Sequence, residues 1–421
     1  MRSLHWSAAP PGATPTQRDN FLKVQIDGIG IGLASAAAPF LPVFLTRLGA
    51  TNFQVGLLTA MPAATGLVLA IAVGRFLQGR RQVVPWYSFM RLLVVMSYAL
   101  TGIVPFIVPR EQAVPAVLLI WAAATLPQTF VSVAFSVVMN AVAGPKGRYD
   151  LMSRRWTILG LTTAITVAIA GETLDRINFP LNYQLVFVGL SLGGLLSYAF
   201  SSRIDLPDAV PPVRQSGLSP QERFKGYIRL IWGEKAFVSF TAKRFVYLSA
   251  AALGTPLFPL YFVRTLHASD AWIGAINTAQ TAIVLIGYPF WSQQWRRRGA
   301  RFVLLWTTLG LAIYPTLTAF TNRVELIVVY ATLAGLFQAG LDLVFFDELM
   351  KTVPPEYSAT FVSLAQGFQY VSTVASPLVG TYLADRIGIG GGLLVCAALR
   401  LIGFALFAQS KAYRATAQSA R

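Results

Sequence analysis

The chain contains a second copy of part of itself. Residues Pro39-Phe-Leu-Pro-Val-Phe-Leu-Thr-Arg47 are echoed 217 positions later by Pro256-Leu-Phe-Pro-Leu-Tyr-Phe-Val-Arg264. Each copy is followed by a short polar turn and a second apolar run, 55–73 in one half and 272–290 in the other. An arginine-rich loop comes next: Gly79-Arg80-Arg81 in the first half and Arg296-Arg297-Arg298-Gly299-Ala300-Arg301 in the second. A repeat of apolar segments constrains the fold more than any single motif. Each repeat unit must bury its apolar surface in the same way as its twin.

The surrounding medium is a bilayer. Of the 421 residues, 55% are apolar and 12% charged, and a soluble chain carries about 25% charged residues. A transmembrane β-barrel would show alternating segments of ~10 residues. Here the apolar runs are continuous and ~20 residues long, as an α-helix needs to cross the hydrocarbon core. They fall at 22–46, 54–74, 84–108, 113–141, 156–174, 182–201, 237–262, 271–291, 301–320, 325–349, 358–383 and 389–408. The expected fold is an all-α integral membrane protein of twelve transmembrane helices in two pseudo-symmetric six-helix bundles. Paired halves of this kind are the layout of a secondary transporter.

Charge sets the expected orientation. Thirty-four Lys and Arg against 17 Asp and Glu give a net charge of +17. The basic residues cluster in alternate loops, a topology signal rather than a nucleic-acid stripe. One set of loops carries Arg75, Arg80, Arg81 and Arg91, then Lys146, Arg148, Arg154 and Arg155, then six cations between Arg203 and Lys235, then the 296–301 cluster. The opposite loops carry one arginine each. The basic side is expected to be cytoplasmic, with both termini on it, in an inner or plasma membrane. The turn after the tenth span runs against the trend, with Asp347, Glu348, Lys351 and Glu356. The expected division is a cytoplasmic tail 1–20, a first bundle 21–201, a cytoplasmic linker 202–236, a second bundle 237–409 and a tail 410–421. The tail holds Pro10, Pro11 and Pro15 without an apolar core, unlike a signal peptide. One cysteine (Cys396) and two distant histidines (His5, His267) offer no disulfide, metal site or redox pair, so no cofactor or metal is expected.

With these residues in view, the chain resembles the major facilitator superfamily over about 21–409. The six-plus-six layout, the long central loop and the basic loops after spans two and eight carry the likeness. The family's loop signature is Gly, three residues, Asp-Arg, one residue, then Gly-Arg-Arg or Gly-Arg-Lys. Gly79, Arg80 and Arg81 match it, while Phe76 and Leu77 stand at the Asp-Arg positions. The second copy keeps Arg297 and Gly299 but has Arg296 where Asp belongs. The Gly-Pro pair of the family's antiporters is absent from 160–171. The resemblance implies rocking of two halves around a central cavity lined by spans one, four, seven and ten.

Ionisable groups inside spans are costly, at least ~2.5–3.5 kcal/mol at the centre, and need a partner, a cavity or a task. Asp27, Arg244 and Asp342 are such groups, and Asp27 and Arg244 are 217 positions apart. They are candidates for coupling or gating, with Arg244 expected to pair with at least one of the acids when the cytoplasmic side is closed; a structural ion pair is the plainer alternative. Polar residues at helical spacing mark a candidate pathway: Thr125, Gln128, Thr129, Ser132, Ser136 and Asn140 in span four, Asn277 and Gln280 in span eight, Gln338 in span ten, and Ser363, Gln366 and Gln369 in span eleven. Interhelical hydrogen bonding explains any one of them equally well. Gly28, Gly30 and Gly32 offer a small-residue packing surface. Trp86, Tyr87, Trp156 and Trp306 stand near span ends as expected membrane-belt aromatics.

No Gly-x-x-x-x-Gly-Lys-Ser/Thr loop or other catalytic motif occurs, so no enzyme is expected. The reading is a monomeric permease for a small solute working by alternating access, with protons as a candidate coupling ion and lipids as neighbours. A drug or lipid exporter of the same fold is one alternative. A non-transporting assembly factor for pigments or membrane proteins is another.

Overall fold

The computed structural model describes residues 13–207, 233–352 and 358–409. The chain opens with α1 (Pro15–Ser35), α2 (Phe40–Arg47), α3 (Asn52–Gln78), α4 (Val84–Ile107), α5 (Arg110–Arg176) and α6 (Leu181–Ser201). It resumes with α7 (Lys235–Gly254), α8 (Leu257–Leu260) running into a π-helical turn at Tyr261–Thr265, α9 (Asp270–Ala319), α10 (Val324–Thr352) and α11 (Ser358–Ala408). α1 begins inside the segment expected to be a tail. Thr14 caps it by accepting from the Gln17 amide, and Pro15 occupies the first turn, where a missing N–H costs nothing.

Ten stretches among the described residues are long and apolar enough to cross a bilayer. Two of them are too long for one crossing. Asp270–Ala319 has 50 residues, about 75 Å of helix against a core of about 30 Å. The chain breaks at Gly299, with φ 81° and ψ 166°. α11 breaks likewise at Gly388, with φ 81° and ψ 160°. A side chain rarely adopts these dihedrals, so glycine makes two helices out of each run. Counted as two each, the ten become the expected twelve. α5 carries two further spans in one run, Arg110–Ala143 and Arg154–Arg176.

The repeat survives as geometry. α1 ends in a turn and α2 restarts after Pro39; α7 ends at Gly254 and α8 restarts after Pro256. Both prolines cap a new helix where their ring forbids continuing the old hydrogen-bond ladder.

The chain divides into two compact units, Met1–Pro212 with Ala268–Thr278, and Val213–His267 with Ala279–Arg421. In the first, α1 packs on α5 and α6, and α4 on the same two. A Cβ on Gly30 would stand 2.6 Å from the Gly193 carbonyl, and one on Gly32 would stand 2.8 Å from Thr162. The small residues of α1 are therefore packing surfaces for α6 and α5. In the second unit, α7 packs on α11 and α10. Large apolar side chains such as Val68, Leu119, Ile169, Ile286 and Phe346 point outward, as lipid contact requires.

Candidate functional site

The first unit is organised around Asp27. Its carboxylate, on α1, is fully buried. Arg91 on α4 binds one oxygen, and Ser197 on α6 donates to the same oxygen at 2.6 Å. Arg155 on α5 reaches the other oxygen at 3.4 Å. Arg91 also contacts the Tyr87 hydroxyl one turn back, and Arg155 lies 4.8 Å above the Phe135 ring. One carboxylate thus ties four helices together. Two of its partners, Arg91 and Arg155, look like loop charges in the sequence. Tyr87 is completely buried here rather than in a membrane belt, because it solvates Arg91. Trp156 and Trp306 do lie open at half exposure.

The second unit holds a different arrangement. Arg244, half-buried on α7, donates through Nη2 to Gln369 Oε1 on α11 at 3.1 Å. Its Nε is buried without an acceptor. Among the described residues Arg244 forms no ion pair, and the Gln369 amide is its side-chain hydrogen-bond partner. Asp342 is exposed on α10. It accepts from Gln338 Nε2 at 2.7 Å and from the Tyr288 hydroxyl on α9. Gln280 is half-buried and Gln366 exposed. Gly335 lets α10 approach the Gln280 carbonyl on α9; a Cβ there would stand 2.3 Å from it. Arg400, absent from the expected set, is buried in α11 and donates to the Leu311 carbonyl at 2.6 Å.

The span-four stripe divides by depth. Thr125 and Thr129 are buried, and Thr65 on α3 donates to Thr125 at 2.8 Å. Gln128 is half-buried, while Ser132, Ser136 and Asn140 are exposed. The Ser363 side chain lies outside the described residues. Asn277 spends its amide on the Ile273 carbonyl of its own helix, at 2.8 Å.

Asn277 belongs to the segment 268–278, which packs within the first unit through Asp270. Arg47 donates to Asp270 from Nη2 at 2.8 Å and from Nε at 3.2 Å, and Tyr183 donates at 2.7 Å. The Asp270 amide in turn donates to Asp175 at 2.8 Å, so an acid on α5 caps the first turn of α9. Beneath this cluster the two helices touch at glycines. A Cβ on Gly171 would stand 2.9 Å from the Asp270 carbonyl, and one on Gly274 would stand 3.1 Å from the Gly171 Cα. The sequence signal for Asp270 was weak because it stands at the edge of an apolar run, where an acid is unremarkable.

The loop motif is rebuilt with aromatics. Arg80 stacks 4.3 Å from the Phe76 ring centroid and 5.3 Å from that of Trp86, whose ring meets Phe76 edge-on. Phe76 stands where the family signature has Asp, so a ring face takes the place of the carboxylate. Gly79, Arg81 and Arg297 are exposed, and Gly299 forms the break already described. The acidic turn after span ten is partly neutralised, since Lys351 binds Asp347 at 2.6 Å and Glu348 at 3.0 Å. Glu356 lies outside the described residues.

Ten apolar stretches among the described residues, two of them broken at a glycine, an internal repeat with matched proline breaks, and ionisable side chains held inside spans give the layout of a multi-pass secondary transporter. The family model described as Major Facilitator Superfamily matches residues 244–419. A Deinococcus radiodurans protein named "Putative sugar efflux transporter" is 23% identical over 390 residues, 89% of this chain and 94% of that one. Multidrug resistance protein MdtG of Serratia proteamaculans is 27% identical over 184 residues, 41% of this chain and 44% of its own length. The crystal structure of nucleoside transporter NupG superposes with a TM-score of 0.71 at 10% identity, covering 92% of this chain and 98% of that one. Residues 244–419 are thus similar to the major facilitator superfamily, and the chain shares the fold of the nucleoside transporter along nearly its whole length.

Proposed function

We propose that the chain exports a small hydroxylated solute by alternating access, drawing on the proton gradient through Asp342. The observation that carries the reading is the state of that acid. It is an exposed carboxylate within a membrane-crossing helix, held by Gln338 and Tyr288 rather than by a cation. A carboxylate placed in a span marks a proton relay or a ligand contact by default. Gln338 at Asp342 and Gln369 at Arg244 set an amide beside each of these ionisable groups, and amides can donate and accept and so suit hydroxyl groups. The relative named for sugar efflux, similar along nearly its whole length, supports the substrate class and the direction. Carriage of an unmodified solute, rather than catalysis, is the proposed task. A monomer in the inner or plasma membrane, with both termini cytoplasmic, fits the arginine distribution.

Drug export is a second reading, supported by the partial likeness to MdtG. The proton coupling is tested in reconstituted vesicles carrying a pH gradient. Under the proposal, Asp342→Asn abolishes gradient-driven accumulation while exchange of solute across the membrane continues. Full gradient-driven transport in that variant removes Asp342 from the coupling.

A further inference from the structure

Asp342 and Arg244, both in the second unit, are satisfied unequally. Asp342 accepts from an amide at 2.7 Å and from a phenol hydroxyl. Arg244 has one amide oxygen at 3.1 Å, a Phe345 ring centroid at 5.9 Å, and a buried Nε hydrogen with no acceptor. A guanidinium cannot shed its proton in a protein, and it has five donors to satisfy. A buried donor without an acceptor is costly, while a satisfied acceptor gains little from a newcomer. The Nε and Nη2 hydrogens share one edge of the guanidinium plane, spaced to meet two oxygens of one carboxylate or phosphate. Gln369, holding Nη2, fixes the plane of that edge.

Resting on the transporter reading above, we propose that the carried solute is a hydroxylated organic anion, and that Arg244 receives its carboxylate or phosphate side-on. Gln369 is the positioning residue for that guanidinium. Gln338 and Tyr288 then meet hydroxyl groups. A neutral sugar gives Arg244 hydrogen bonds but no counter-charge. A cationic drug meets repulsion at Arg244.

The full chain in proteoliposomes tests this with four probes: gluconate, glucose 6-phosphate, glucose and tetraphenylphosphonium. Gluconate or glucose 6-phosphate should be carried at least tenfold faster than glucose, and whichever of the two moves identifies the anionic group. Arg244→Gln should raise the KM for that anion about tenfold or more, the scale of a lost charge-assisted bond. Arg244→Lys, which keeps the charge but not the two-point edge, should fall between. If Arg244→Gln fails to fold, Gln369→Glu serves. Its carboxylate would occupy Arg244 from within the protein and should abolish anion transport in a stable chain. Glucose or tetraphenylphosphonium carried as fast as the anions overturns the anionic substrate and leaves the transporter reading standing. An unchanged KM in Arg244→Gln, or undiminished anion transport in Gln369→Glu, does the same. No transport of any probe overturns both.

Discussion

At the scale of single residues, Asp27 and Asp342 show how one chemical group does two different things. Asp27 is fully buried and enclosed by Arg91, Arg155 and Ser197. Removing one partner from a buried pair costs about 3–5 kcal/mol, because the other charge is left without compensation. Asp27→Asn should therefore lower unfolding stability in detergent by that order, while folded protein keeps its gradient-driven transport. Arg91→Met should cost more than Arg155→Met, because Arg155 is the more distant contact at 3.4 Å. Equal losses from the two arginines would contradict the geometry. Asp27 and Asp342 stood out in the sequence because they interrupt apolar runs. Arg91 and Arg155 did not, because each falls near a loop where counting of positive charge absorbs it. Arg400 was missed for another reason: it lies in the last span, beyond the polar stripes that drew attention to spans four, eight, ten and eleven.

At the scale of elements, the helices were legible and their ends were not. Length and continuous apolarity located the spans found among the described residues, since a bilayer allows little else. The sequence could not say that α9 and α11 turn at single glycines, because a glycine at a span end reads the same as one inside it. Nor could it show that the 268–278 segment seats against α5. That contact depends on Gly171 meeting Gly274 and on the Asp270 cluster above them. Gly274→Leu should push α9 away from α5 and break the Arg47–Asp270 contact. A cysteine at Thr278, whose hydroxyl now donates to the Ala164 carbonyl at 3.0 Å, should then become accessible to a membrane-impermeant maleimide. Unaltered labelling would mean that the glycine contact is not what holds the segment. Phe76 makes a smaller point. A cation–π contact at an exposed site is worth ~0.5–1 kcal/mol, so Phe76→Ala should loosen the Arg80 loop without unfolding the first unit, a change visible as faster proteolysis there.

At the scale of the whole molecule, the repeat was the most legible feature, and it survives in the breaks before Pro39 and Pro256. Orientation rests on arginine counts alone. Reporter fusions at Glu111, Ile177 and Asn322 should appear outside, and fusions at Gln82, Gly147, Gly217 and Ala412 inside. An outside signal from Gly217 would overturn the both-ends-in arrangement. The solute was the least legible property. It depends on which donors lack acceptors, and a sequence lists donors without saying how they are matched.

The Asp27 cluster also has a history within each molecule. Arg91 lies 64 residues after the acid and Arg155 lies 128 residues after it. At about 5–20 residues per second of synthesis, the first helix waits about 3–13 s for one guanidinium and about 6–26 s for the other. During that interval a carboxylate sits in or beside lipid without its counter-charge. A chain arrested before residue 91 carries that exposed acid; one arrested well past residue 155 has what it needs to close around it. The order of the helices along the chain therefore sets a period in which the nascent protein depends on whatever holds it at the membrane.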